Sequence, residues 1–334
     1  MPNLSPHNVW SLNERELKSM LDSGYFPQRK IIHFYAPSFS YYKTKHFCSS
    51  TTDFPTISVT GNSCALNCKH CGGKVLETMH KATSPKEMFE LGLEFKKNGA
   101  KGVLISGGCL SDGSVPIEGF MPVLERFKRE LGFTVFVHTG IIEPKTALEL
   151  KKAGVDAALI DVIGSEATIK NTLNLKVGIQ DYVSSLRALQ ESKLKVVPHI
   201  IVGLNEGKLD GEYNALQMVQ QNVKPSALVI IAFMPIHGTE MAHTSPSNPI
   251  DIARVTATAR LMFPNTPLVL GCMRPKGKSR IEIDKLALEA GVDAIAFPSE
   301  EAIEYSKSKR HTTLFSSFCC AQVYQDLLDN KFEV

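Results

Sequence analysis

Cys64, Cys68 and Cys71 stand at a C-x3-C-x2-C spacing that runs into Gly72 and Gly73. Thiolates are ligands for zinc and for iron–sulfur clusters, and a loop this short can reach three corners of one metal–sulfur cube. Four thiolates would saturate such a cube or a tetrahedral zinc. Three leave one iron open to a small molecule, and an open iron is a place for chemistry. The same spacing also suits a structural zinc completed by His70 or His80, or three thiols that merely pack.

The triplet follows a run of β-branched and aliphatic residues, so the flanking elements decide how it is presented. Eight such runs recur, at residues 56–60, 102–106, 134–138, 157–161, 195–201, 227–232, 268–271 and 294–297, with longer amphipathic stretches between them. Helix starts are marked by Ser84-Pro85, Glu143-Pro144 and Asn248-Pro249, and helix ends by Gly99, Gly154 and Gly291. Repeated βα units with no reversal predict an α/β fold, a (β/α)8 TIM-type barrel over residues 51–310, with an N-terminal extension over 1–50 and a C-terminal tail over 311–334. A chain of 334 residues, 43% of them hydrophobic, can bury one core of that size. The extension holds a short amphipathic helix from Asn13 and an aromatic-rich extended segment, residues 31–42. That segment either packs on the barrel or lines a channel at its mouth.

The 37 basic and 34 acidic residues leave a net charge of +3, too small an excess for a nucleic-acid-binding surface. No run of about 18 apolar residues offers a membrane span, and the N-terminus has no basic-then-apolar signal, so a cytoplasmic enzyme is expected. Eight cysteines, three of them in a ligand-like cluster, agree with metal chemistry in a reducing compartment.

In a barrel of this type the reactive face lies at the carboxyl ends of the strands. After the first run comes the cysteine loop, and after the second the pair Gly107-Gly108 followed by Cys109. Paired glycines let the backbone approach a ligand closely. The third run ends in His138 and the fourth in Asp161; the fifth carries His199 and continues to Gly203, and the seventh leads into Cys272 and Arg274. Each has a plainer alternative: a turn for the glycines, a hydrogen-bonded core position for a histidine, a helix cap for Asp161. Together they put polar groups on one rim.

With the triplet, the phrases Ile57-Ser-Val-Thr-Gly61, Gly102-Val-Leu-Ile-Ser-Gly-Gly-Cys109, Val137-His-Thr-Gly140, Ala158-Leu-Ile-Asp-Val-Ile-Gly164, Pro198-His-Ile-Ile-Val-Gly-Leu204 and Leu270-Gly-Cys-Met-Arg-Pro275 resemble the radical S-adenosylmethionine (radical SAM) superfamily, and within it the biotin synthase-related branch. The resemblance runs from about residue 30 to about residue 320. It implies that Cys64, Cys68 and Cys71 hold a 4Fe–4S cluster whose fourth iron is chelated by SAM. One electron then cleaves SAM to methionine and a 5′-deoxyadenosyl radical, which takes a hydrogen atom from an unactivated carbon. The same resemblance implies cofactor contacts from Gly72, Gly73, Gly107, Gly108, His138, Asp161, His199, Gly203 and Arg274, with Asp161 accepting from the ribose hydroxyls. Cys109 stands where the family commonly has Glu, which leaves the SAM amine to backbone carbonyls.

Within that branch the chain is most similar to the subunits of the two-component lipoyl synthase, in which two radical SAM proteins insert two sulfur atoms into a protein-bound octanoyl chain. This implies an octanoylated carrier protein or lipoyl domain as substrate, a second radical SAM subunit as partner, and ferredoxin or flavodoxin as electron donor. Two departures bear on the sulfur source. The third and fifth strands lack the auxiliary-cluster cysteines of biotin synthase, and only Cys48 precedes Cys64, where the single-chain lipoyl synthase has a cysteine triplet. Cys109, Cys272, Cys319 and Cys320 then become the candidate ligands of a second iron–sulfur cluster, consumed as sulfur donor. Another radical SAM reaction, whether methylation, rearrangement or cofactor maturation, would share every SAM-facing feature. A non-catalytic iron–sulfur or zinc-binding protein would use the triplet alone.

Overall fold

The computed structural model describes residues 4–27 and 29–329. Eleven parallel strands form one sheet: β1 (Ile31–Tyr35), β2 (Thr56–Ser58), β3 (His80–Lys81), β4 (Gly102–Ser106), β5 (Thr134–His138), β6 (Ala157–Asp161), β7 (Lys195–Val202), β8 (Leu228–Ala232), β9 (Leu268–Leu270), β10 (Ala294–Ala296) and β11 (Thr312–Ser316). Their order is β11-β1-β10-β9-β8-β7-β6-β5-β4-β2-β3. The eight expected runs are β2 and β4 to β10, side by side in chain order. The aromatic-rich segment begins with β1, held between β10 and β11, so both extensions add strands to the same sheet. An Ile-Ile-His-Phe-Tyr run that is buried at nearly every position has no alternation to announce it as a strand.

The sheet curls into a half-barrel. Among the described residues no ladder joins β11 to β2 or β3; side chains span the gap, with the Phe54 ring 5.5 Å from Phe136 and 6.1 Å from Phe318. Strand alternation sorts side chains into two cores: Val135, Val137, Ala158, Ile160 and Val196 face the helices, whereas Phe136, Leu159, Val197, Val229 and Val269 face the lumen. The tail enters that lumen, where Cys319, Cys320, Ala321 and Val323 are buried among the inward side chains.

Helix boundaries follow the local signals. Ser84 and Glu87 form a reciprocal capping box ahead of the helix Pro85–Lys97, and Gly99, Gly154 and Gly291 take the left-handed conformation that ends a helix and turns the chain back to the sheet. Among the described residues no helix is long and apolar enough to cross a membrane.

Candidate active site

The cysteine loop leaves β2 while Val59 is still paired to β4, its N–H donating to the Ser106 carbonyl at 2.8 Å. The buried Ser58 hydroxyl donates to the Gly61 carbonyl at 2.6 Å and turns the chain off the sheet. The loop then lies directly on the glycine pair that follows β4. Gly108 N–H donates to Thr60 Oγ1 at 2.7 Å, and Ala65 N–H to the Cys109 carbonyl at 2.8 Å. A Cβ on Gly108 would fall 2.0 Å from the Ser63 carbonyl oxygen and 2.7 Å from the Cys64 Cα. The close approach at this pair is made by the backbone of the cysteine loop itself.

Residues 172–174 pin the other side of the loop. Lys69 N–H donates to the Thr172 carbonyl and Asn174 Nδ2 to the Asn67 carbonyl, each at 2.9 Å. Asn67, Gly72 and Gly73 take positive φ (46°, 50° and 75°), bending the chain so that Cys71 N–H and Gly72 N–H both reach the Cys68 carbonyl. The left-handed conformation accounts for the Gly-Gly ending.

All three cysteines are free; Cys68 and Cys71 are buried and Cys64 half-buried. The ligand atoms of Cys68, His70 and Cys71 lie within 4.8 Å of one another. A hydrogen bond with Cys68, reinforced by His70, holds the Cys71 thiol down to about 4, and the same pairing pushes Cys68 up. Two buried thiols arranged around one proton are ready to exchange it for a metal ion. A fourth thiol, Cys109, stands next to the triplet, and burial, then the charges of Cys64 and Asp161, push it up to about 12. The donor set thus fits a cluster held by three thiolates with one iron left open, although on geometry alone His70 would also complete a zinc site.

Placing Cys109 here corrects the four-cysteine auxiliary set. The strand it follows, β4, is separated from β9, which precedes Cys272, by four intervening strands. Cys272, Cys319 and Cys320 instead belong to the inner core, where burial, then the neighbouring Cys319, push Cys272 up to about 11.

His138, Asp161 and His199 each come two residues after a lumen-facing Phe136, Leu159 or Val197, and so point the same way. His138 Nε2 is 3.7 Å from Asp161 Oδ1, the two imidazole centroids are 5.2 Å apart, and the ligand atoms of all three residues fall within 4.8 Å. Burial, with His138 close by, holds His199 down to about 4.

Gly203 and Arg274 serve the fold. Gly203 (φ 71°) donates its N–H to the buried Glu212 at 2.7 Å, and a Cβ there would meet Ser247 Oγ at 2.4 Å. Arg274 is completely buried and spends its donors on Asp284 (2.9 Å), the Gly271 and Ala296 carbonyls (2.6 Å each) and the Phe297 carbonyl (3.1 Å). It is a strut between strand ends and has no donor left for a cofactor, a correction to its expected role. Thr172 and Asn174, which hold the loop, carry no motif in the sequence. Asn174 alone offers a cue, as an Asn that can adopt its positive φ of 54° at a turn.

A family model described as the radical SAM superfamily matches residues 58–210, from the end of β2 through the cysteine loop and past the Gly203 turn. The biotin synthase of Buchnera aphidicola subsp. Acyrthosiphon pisum (strain 5A) is 25% identical over 275 residues, covering 80% of this chain and 78% of that protein. That of Zymomonas mobilis subsp. mobilis is 25% identical over 249 residues, 72% of each. Among solved structures, the hydrogenase maturase HydG superposes with a TM-score of 0.63 at 15% identity, over 97% of this chain and 74% of its own. Methylornithine synthase (PylB) gives 0.58 at 16%, over 87% and 81%. At these identities the likeness to solved structures is one of fold. The family match, the pinned three-thiol loop and the similarity to biotin synthases over most of the chain mark residues 58–210 as a radical SAM domain, which implies a 4Fe–4S cluster and SAM as its cofactors.

Proposed function

We propose that this enzyme inserts sulfur into a protein-bound octanoyl chain as one subunit of a two-component lipoyl synthase. The observation that carries the reading is the set of thiols inside the half-barrel, Cys319 and Cys320 in the inner core with Cys272 packed against it. Sulfur insertion needs a sulfur source that opens on the lumen where hydrogen is removed. Three thiols drawn from distant parts of the chain into one core are candidate ligands for a second iron–sulfur cluster. These three would hold it, and its sulfide would be the donor. The kinship with biotin synthases supports carbon–sulfur bond formation as the reaction class.

When bound, the first cluster and SAM supply a 5′-deoxyadenosyl radical that removes a hydrogen atom. The chain's own part is to bind, orient and exclude. Cys64, Cys68 and Cys71 would hold the cluster, while Gly107 and Gly108, at the end of β4, seat the backbone of the loop that carries them. Phe136, Leu159 and Val197 line the lumen with groups that keep water away from the reacting carbon. An octanoylated carrier protein or lipoyl domain would be the substrate, a second radical SAM subunit the partner, and ferredoxin or flavodoxin the reductant.

Anaerobic reconstitution followed by iron and sulfide analysis should give about eight irons per chain, falling to about four in Cys319→Ser/Cys320→Ser. Octanoylated carrier incubated with the enzyme, its partner subunit, SAM and dithionite should gain sulfur by mass. An unchanged carrier mass, while 5′-deoxyadenosine still forms, would exclude this substrate and leave the family membership intact.

A further inference from the structure

Three titratable side chains on the lumen wall stand outside the cysteine loop: His138 at the end of β5, Asp161 at the end of β6 and His199 within β7. Strand register makes them neighbours. Asp161 lies opposite His199, and His138 lies opposite Leu159, two residues before Asp161. They are brought together without satisfying one another. The His138 Nε2 to Asp161 Oδ1 separation of 3.7 Å is beyond hydrogen-bond range, and that buried Oδ1 has no hydrogen-bond partner. His199 makes its contact through the far nitrogen, with Nδ1 3.1 Å from the Val197 carbonyl. A carbonyl can only accept, so Nδ1 carries the proton and Nε2 keeps its lone pair. Metal-bound histidines are oriented in this way, by a backbone carbonyl that holds the other ring nitrogen.

We propose that His138, Asp161 and His199 form a mononuclear site for a divalent transition ion, distinct from the cysteine triplet, whose remaining positions face the lumen and take an anionic or carbonyl oxygen of the substrate. Two imidazoles and one carboxylate suit zinc or iron(II), with donors at about 2.0–2.2 Å from the ion. Ligand atoms now within 4.8 Å of one another would close to roughly 3–3.5 Å, which side-chain rotation can supply. The ion keeps its oxidation state and only coordinates; it draws charge from the substrate oxygen and fixes that group relative to the cysteine loop. The assignment uses these residues for substrate where the sequence suggested SAM, and it does not depend on the octanoyl reading.

The test loads the iron-reconstituted protein with zinc, removes excess by dialysis, and combines elemental analysis with zinc K-edge X-ray absorption. One zinc per chain should be retained, with only nitrogen and oxygen in its first shell and imidazole scattering behind it. His138→Gln and Asp161→Asn, which preserve side-chain size, should each weaken zinc binding by about tenfold or more at unchanged iron content. Zinc should raise the melting temperature of the parent protein and not that of His138→Gln. Failure to retain zinc, sulfur in the zinc first shell, or undiminished binding in both variants would overturn the assignment.

Discussion

Gly108→Ala tests how the loop that carries the cluster ligands is positioned. The added methyl would lie 2.0 Å from the Ser63 carbonyl oxygen and 2.7 Å from the Cys64 Cα and Cβ, so backbone on one side must retreat by about 1 Å to reach tolerable contact. Thr60 Oγ1 and the Cys109 carbonyl tie that backbone down, so the strain is passed to Cys64 and not relieved locally. Overpacking of this kind costs about 1–3 kcal/mol, which lowers the melting temperature by several degrees in a protein of this size. A misplacement of about 1 Å in a group that orients the reaction costs on the order of 10²-fold in rate. The assay is iron retained after anaerobic reconstitution, followed by the rate of 5′-deoxyadenosine formation. Gly119→Ala is the control, because a Cβ there meets nothing within 4 Å. If Gly108→Ala matched Gly119→Ala in iron content, melting temperature and rate, the packing argument for the glycine pair would be wrong.

Cys64→Ala should abolish 5′-deoxyadenosine formation and collapse the iron–sulfur absorbance of the first cluster, leaving any iron held by Cys272, Cys319 and Cys320. Arg274→Leu strands the buried Asp284 and should destabilise the fold by about 3–5 kcal/mol, read as a lower urea midpoint; Arg274→Leu/Asp284→Leu should recover part of that loss. Glu212 is held above the ordinary carboxylate value of 4.5, chiefly by burial, so on raising the pH the unfolded chain gives up this proton first. Stability from this group is therefore present below pH 4.5 and is lost as pH rises through the folded value. The urea midpoint of the parent should carry that falling component, and Glu212→Gln should lack it; identical pH slopes would remove Glu212 as its source.

The parts of the site legible in the sequence were those whose chemistry is local. Cys64, Cys68 and Cys71 need only one short loop, and Gly72 and Gly73 announce its backbone bends. The eight βα units were readable because each has its own hydrophobic run, and Gly99, Gly154 and Gly291 mark the ends of three of their helices. The strand nature of β1 and β11 was not, since both lie outside the repeating pattern and pair only with each other and with β10. Arg274 looked like a rim cation because its partner Asp284 lies on the following helix, Lys278–Glu289, where nothing in the sequence connects the two.

By itself the sequence determined the triplet, the parallel α/β architecture and the rim to which Gly108, His138, Asp161 and His199 belong, because ligand spacing and strand alternation are properties of neighbours along the chain. Tertiary structure alone decided which thiols and imidazoles meet. Curling the sheet brought β5, β6 and β7 to present two histidines and an aspartate to one point, and set Cys109 beside the triplet. The tail entering the lumen brought Cys319 and Cys320 to Cys272 across more than forty residues of chain. Such encounters follow from sheet curvature and from which buried surfaces need covering, and no local pattern encodes either.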